Sequence, residues 1–131
     1  MLNSTCRCSG WSATRVGRAG ERLAGLAVAR DGGKVLYRNY RAEGGGEVDL
    51  VCRDGEVLAF VEVKTRTSDE GPRPAAAVNQ KKQELIKRGA REWRRLLGDQ
   101  VEDLVWRYDV VEVWLVDGER PRVNWLKGEF E

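Results

Sequence analysis

Two short runs, GEVDLVCR (46–53) and EVLAFVEVKTR (56–66), constrain this chain more than any other part of it. They flank Asp54-Gly55, a pair that favours a two-residue hairpin turn, and both carry the β-branched and apolar residues of strands. With Asp54 and Gly55 in the turn, Arg53 faces Glu56, Asp49 faces Phe60 and Glu47 faces Glu62. Side chains alternate along a strand, so Glu47, Asp49, Glu62 and Lys64 fall on one face. The other face, Val48, Leu50, Cys52, Val57, Ala59, Val61 and Val63, is apolar throughout. Val51, Leu58 and Phe60 lie on the charged face near the turn. The hairpin is therefore expected to be covered on both sides at one end and to gather three carboxylates at the other.

That gathering has a cost. Like charges opposed in a sheet are destabilising, and half-buried carboxylates are more so unless compensated. Lys64 offsets one charge, and a hard divalent cation, which prefers carboxylate and carbonyl oxygens, would offset the others. A solvated hairpin end with incidental salt bridges would show the same spacing. A single Glu-x-Lys on a strand is common; Asp49 on the same face of the neighbouring strand is what adds weight.

The rest of the chain supplies what such a hairpin packs against. Val16, Ala19, Leu23, Leu26 and Ala27 recur at helical spacing over Thr14 to Asp31, before Gly32-Gly33. A strand (34–41) and the turn AEGGG (42–46) follow. After a loop at 67–75, a helix is expected from Ala76 to Leu97, then a strand over 106–116 and a last one around Pro121 to Leu126. The order α-β-β-β-α-β-β describes an α/β domain with a mixed sheet of about five strands flanked by helices. At 131 residues one domain is expected. Residues 1–11 show no periodicity and read as a disordered tail, leaving 12–131 as that domain.

Composition narrows the chemistry. The chain has no histidine, which removes His-based triads and the usual zinc sites, so any catalysis rests on carboxylates, lysine or a metal. Three cysteines, Cys6, Cys8 and Cys52, argue against a disulfide framework, and Cys6 and Cys8 read as part of the tail. No apolar run approaches the roughly 20 residues that span a membrane, and the start lacks a secretory pattern, so a cytoplasmic protein is expected. Residues 1–98 carry 19 basic and 12 acidic side chains, whereas 99–131 carry 4 and 9. A chain so polarised can present a basic face to a polyanion.

An Asp on one strand followed by Glu-x-Lys on the next, here Asp49 and Glu62-Val63-Lys64, resembles the PD-(D/E)xK nuclease superfamily. In order, GRAGERLA (17–24), NYR (39–41), GEVDLV (46–51), FVEVKTR (60–66), the AV…KKQ stretch (77–83) and YDVVEV (108–113) resemble the YraN-like family of small bacterial proteins. That family is considered related to archaeal Holliday junction resolvases. The resemblance covers about residues 16–116 and implies a restriction-endonuclease-like fold. It also implies Mg²⁺ or Mn²⁺ held by Asp49, Glu62 and the Val63 carbonyl, with Lys64 catalytic. By the same resemblance Glu21, on the first helix, joins the metal site. On the helical wheel it shares a strip with Gly17, Ala24, Gly25 and Val28, small residues that would allow close approach to the sheet, although an exposed Glu on a helix is the ordinary case. Glu47 is an accessory candidate.

Between residues 81 and 95 lie seven Lys or Arg and two Glu. Lys81, Lys87, Arg88, Arg91, Arg94 and Arg95 fill one arc of the helical wheel, and Val78, Leu85, Ile86, Trp93, Leu96 and Leu97 the other. The basic arc reads either as a phosphate-binding face or as a solvated one. Lys82 falls in the apolar arc, so its stem snorkels past the core edge or its ammonium reaches the carboxylates. Trp93, Trp106 and Trp114 are expected in the core. The function expected is a metal-dependent endonuclease acting on DNA, branched or structured DNA included. The alternative is a non-catalytic DNA-binding or partner module. No small-molecule cofactor is expected, and a homodimer is compatible.

Overall fold

The structure, a computed structural model, describes residues 4–98 and 104–131. Its elements follow the expected order: α1 (Ala13–Arg30), β1 (Lys34–Arg41), β2 (Glu47–Asp54), β3 (Val57–Arg66), a 3-10 turn (Pro74–Ala77), α2 (Gln80–Leu97), β4 (Val105–Trp114) and β5 (Arg122–Phe130). The five strands form one sheet in sequence order. Only β3 and β4 run parallel, and α2 makes the crossover between them. A mixed five-stranded sheet flanked by two helices is a restriction-endonuclease-like arrangement. No helix among the described residues is long and apolar enough to cross a membrane.

The central strand β3 is buried from Leu58 to Val63, as its nearly unbroken apolar run requires. Leu50, Cys52, Ala59, Val61 and Val63 pack with Leu23, Ala24 and Val28 of α1. Val51, Leu58 and Phe60 pack with Ile86, Ala90 and Trp93 of α2. Val48 joins this second cluster although its parity matches Leu50, so the alternation of faces breaks at Asp49 between them.

The hairpin register differs from expectation by two residues. Asp54 pairs with Val57 and Leu50 with Val61, so the turn residues are Gly55 and Glu56. Gly55 has φ 61° and Glu56 does not share the positive φ, the pattern of a type II′ turn led by glycine. The paired register ends at Leu50–Val61, and beyond it the Asp49 side chain accepts from Val63 N. The even shift leaves the paired side chains, 50–54 and 57–61, on their expected faces.

Both helices lie close to the sheet because glycines meet it. A Cβ on Gly20 would overlap Thr65 Oγ1, and one on Gly89 would come within 2.9–3.0 Å of the Glu47 backbone. The buried residues of α1 are Gly20, Leu23, Ala24, Gly25 and Val28, whereas Leu26 is 45% exposed. The stripe expected from periodicity centres on the large apolar residues; the small ones set the contact. On α2, Leu96 is likewise exposed. Residues 4–11, expected to be disordered, are held in place, while 1–3 lie outside the described residues. Cys6 exchanges backbone hydrogen bonds with Gly118 and Glu119, and Cys8 Sγ donates to the Leu115 carbonyl at 3.1 Å. Both thiols are buried beside α1. The signal missed was two small apolar side chains whose partners lie over a hundred residues away.

Candidate functional site

The site forms where β2 and β3 leave the turn behind and α2 begins. Asn79 caps α2, its side chain accepting from Lys82 N at 2.9 Å. Lys82, Ile86, Gly89, Ala90 and Trp93 follow one another on the sheet-facing side at helical spacing. The close approach at Gly89 thus also presses Lys82 toward the strands, two turns earlier. Its Nζ donates to Glu47 Oε1 and lies 3.4 Å from Glu62 Oε2. Of the two readings open for Lys82, the ammonium does reach the carboxylates.

Glu62 is only 3% exposed. Burial first, then a carboxyl–carboxyl hydrogen bond with Asp49 and the Asp49 charge, push its pKa up to about 9, against the pull of Lys82 and Lys64. Although Lys82 is at ion-pair distance, no hydrogen bond reaches Glu62 Oε2. Asp49 is held by its Oδ2, which accepts from Val63 N at 2.9 Å. Glu47 goes the other way: its hydrogen bond from Lys82 outweighs partial burial and, with Arg41 at 3.1 Å, holds it below the usual range.

Glu21 on α1 is half-buried, and its carboxyl is raised by burial and by the Asp49 charge while Asn39, Arg38 and Arg41 draw it down. Asp49, at the break in alternation, is therefore felt from both layers. Lys64 lines a cleft of about 540 Å³ with Glu21, Val63, Thr65 and Arg66. Asp49, Glu62, Lys64, Glu47 and Lys82 thus share one neighbourhood, with Glu21 at its α1 edge. Among the described residues no three carboxylates or thiols converge as a ready metal cage.

The basic arc of α2 lies elsewhere. Lys81, Arg88, Arg91 and Arg95 are exposed and Lys87 half-buried. Arg94 is turned over the Trp106 ring at 3.9 Å. Trp93 is in the core as expected, but Trp106 is 48% exposed and Trp114 is only half-buried, under Arg122.

Residues 20–113, a span holding Glu21, Asp49, Glu62, Lys64 and Lys82, match the family described as "Uncharacterised protein family UPF0102". The chain belongs to this family. A UPF0102 protein of Anaeromyxobacter dehalogenans is 44% identical over 116 residues, covering 88% of this chain and 84% of the relative. Those of Trichlorobacter lovleyi and Solibacter usitatus are 38% and 42% identical, covering 88% and 87% of this chain and 90% and 84% of the relatives.

Two further carboxylates in the family's matched span escaped the sequence reading. Glu112 is fully buried yet fully paired: Arg73 donates twice, at 2.6 and 3.1 Å, joined by Ala75 N and Asn124. Asp109, also buried, accepts from Arg107, Trp125 Nε1 and Gly128 N. The signal that could have found them was two acids inside the apolar run YDVVEVWLV.

Proposed function

We propose that the chain is a metal-dependent phosphodiesterase acting on DNA, with Asp49 and Glu62 at its centre. The observation that carries this reading is the Asp49–Glu62 pair, with Glu62 buried, Asp49 half-buried and one Glu62 oxygen left without a hydrogen bond. Two carboxylates, one of them with an oxygen lacking a hydrogen bond, fit a Mg²⁺ or Mn²⁺ ion, which is commonly held by one or two carboxylates and completes its shell with water and phosphate. Asp49, Glu62 and the Val63 carbonyl would hold it, with Glu21 alongside. When bound, such an ion supplies Lewis acidity toward a phosphate and an acidified water.

The chain's own residues do the rest. Val63 N fixes the Asp49 carboxylate, and Lys82 neutralises Glu47 so that the pair is not further burdened. Lys64, beside the cleft, orients or deprotonates the attacking water or offsets charge developing on the phosphate. Of the α2 arc, Lys81, Lys87, Arg88, Arg91 and Arg95 are free to meet backbone phosphates, and Arg94 is taken up by Trp106.

One observation favours a second reading. The Lys82 ammonium already stands between Glu47 and Glu62, so the site carries an internal counter-ion of its own. On that reading the chain is a non-catalytic DNA-binding or partner module. The deciding experiment offers linear, flapped and four-way DNA to the purified chain with Mg²⁺ or Mn²⁺. Cleavage that disappears in Asp49→Ala and Glu62→Gln and falls by about 10²–10⁴-fold in Lys64→Met supports the first reading. No cleavage of any substrate, with DNA binding intact, supports the second.

A further inference from the structure

Glu21 borders two clefts. The first holds Lys64; the second, of about 450 Å³, is lined by Arg18, Glu21, Arg22, Arg38, Asn39 and Leu50. Three guanidiniums therefore share one concavity with a single carboxylate. None of the three makes an ion pair with a carboxylate among the described residues, whereas Arg41, Arg53, Arg73, Arg107 and Arg122 all do. Arg18 and Arg22, four residues apart on α1, extend from the same side of the helix.

Arg38 comes from the other wall and is seated against the helix. Its Nη1 and Nη2 lie where a Cβ on Gly25 would be 2.8 Å away, so the absence of a side chain there makes room for the guanidinium. The next residue, Asn39, is the one non-glycine residue among those described with positive φ, 54°. That conformation is tolerated by Asn better than by most residues. The chain thus departs from regular strand geometry at the point where β1 meets this cleft.

We propose that this cleft is a phosphate subsite that holds a nucleic-acid backbone phosphate beside the one acted on at Asp49 and Glu62. It rests on the reading that the chain acts on nucleic acid. Guanidinium forks match phosphate oxygens bidentately and are the side chains best suited to the task. The cleft sets three such groups, all exposed, against one acid and so carries an excess of positive charge toward an anion. Position separates it from the far end of the α2 arc: Arg91 and Arg95 lie nine and thirteen residues beyond Lys82, roughly 14 and 20 Å along the helix at about 1.5 Å per residue. The α1 cleft shares a wall residue with the carboxylate neighbourhood.

The test is oligonucleotide binding by fluorescence polarisation in EDTA across a salt series, with single-stranded and duplex probes. The combined Arg18→Gln, Arg22→Gln, Arg38→Gln variant is compared with Lys87→Gln, Arg88→Gln, Arg91→Gln, Arg95→Gln, both checked for folding by circular dichroism. The α1 variant should flatten the log–log salt slope by roughly 0.9 for each duplex phosphate it no longer neutralises, or roughly 0.7 on a single strand. Gly25→Ala keeps every charge but displaces Arg38, and should flatten the slope by about the amount due to a single phosphate. A wild-type slope in the α1 variant, with the loss confined to the α2 variant, overturns the subsite and leaves nucleic-acid binding standing. Absence of binding by the wild-type chain overturns both. Binding that fails as expected in the α1 variant supports the subsite even where no cleavage is found, so the two failures are told apart.

Discussion

Glu62 and Glu112 sit on adjacent parallel strands, Glu112 directly opposite Lys64, and both are withdrawn from water. Their surroundings differ completely. Glu112 would be raised by its burial, but hydrogen bonds from Arg73, Ala75 N and Asn124 overcome this and hold it below the usual carboxylate range. Glu62 has burial and Asp49 against it, and one oxygen without a hydrogen bond. Burial alone therefore does not mark a residue for chemistry. A buried acid with every lone pair answered is part of the frame, and one left unanswered retains unused capacity for a ligand.

The largest expected effect falls on the satisfied acid. Glu112→Ala leaves Arg73, Ala75 N and Asn124 without their partner and opens a void beneath the 3-10 turn, and should cost about 3–5 kcal/mol in urea denaturation. Glu62→Gln should leave the metal-free protein as stable as wild type or more so. If Glu62→Gln proves the more damaging, the contrast between the two is wrong.

Next comes the response to metal. At a free Mn²⁺ concentration 100-fold above its Kd, wild type should gain about 2.7 kcal/mol, read as a rise in Tm. Asp49→Ala and Glu62→Gln should gain little, while a variant at Glu112 that still folds should keep the gain. Equal stabilisation of all four chains would remove the ion from the Asp49–Glu62 pair.

The two acids also have opposite pH signatures. Glu62 binds its proton more tightly folded than unfolded, so its contribution is fully present below about pH 4.5 and is lost as pH rises toward about 9. The loss proceeds at no more than about 1.4 kcal/mol per pH unit, and Glu62→Gln should abolish it. Glu112 binds its proton less tightly when folded, so its contribution is lost as pH falls below the ordinary carboxylate range. Denaturation series over both limbs, in EDTA, separate them. Smallest of all, Asn124→Ala removes one hydrogen bond to Glu112 and should cost about 1 kcal/mol, with the acid limb moved to higher pH. An unmoved acid limb would leave Asn124 without a part in holding Glu112 ionised.

Much of this was legible in the sequence, for reasons tied to locality. Periodicity of 3.6 and 2 depends on neighbours in the chain, so the order of elements and the sharing of a face by Asp49, Glu62 and Lys64 could be read directly. The turn misreading moved the register by two, and only an odd slip would have turned the faces over. What stayed hidden depends on distant partners. Arg73 and Asn124 around Glu112, and Trp125 and Gly128 around Asp109, come from separate segments. The α1 face was misjudged at Leu26 because a wheel weighs apolar size, whereas Gly20 and Gly25 are what admit Thr65 and Arg38.

The clasp between Cys8 and Asp117 joins residues 109 apart in sequence. During synthesis the β2–β3 hairpin and α1 are complete long before Asp117 exists, so the N-terminal clasp closes after them, however early its own residues emerge. Contacts of such long range carry the greatest loop-closure penalty and come late in folding. The central strand should therefore acquire protection before the clasp does. Pulse-labelled hydrogen exchange during refolding reads this order: the Phe60 amide should be protected ahead of the Cys8 amide, and the reverse order would make the N-terminal clasp an early event instead.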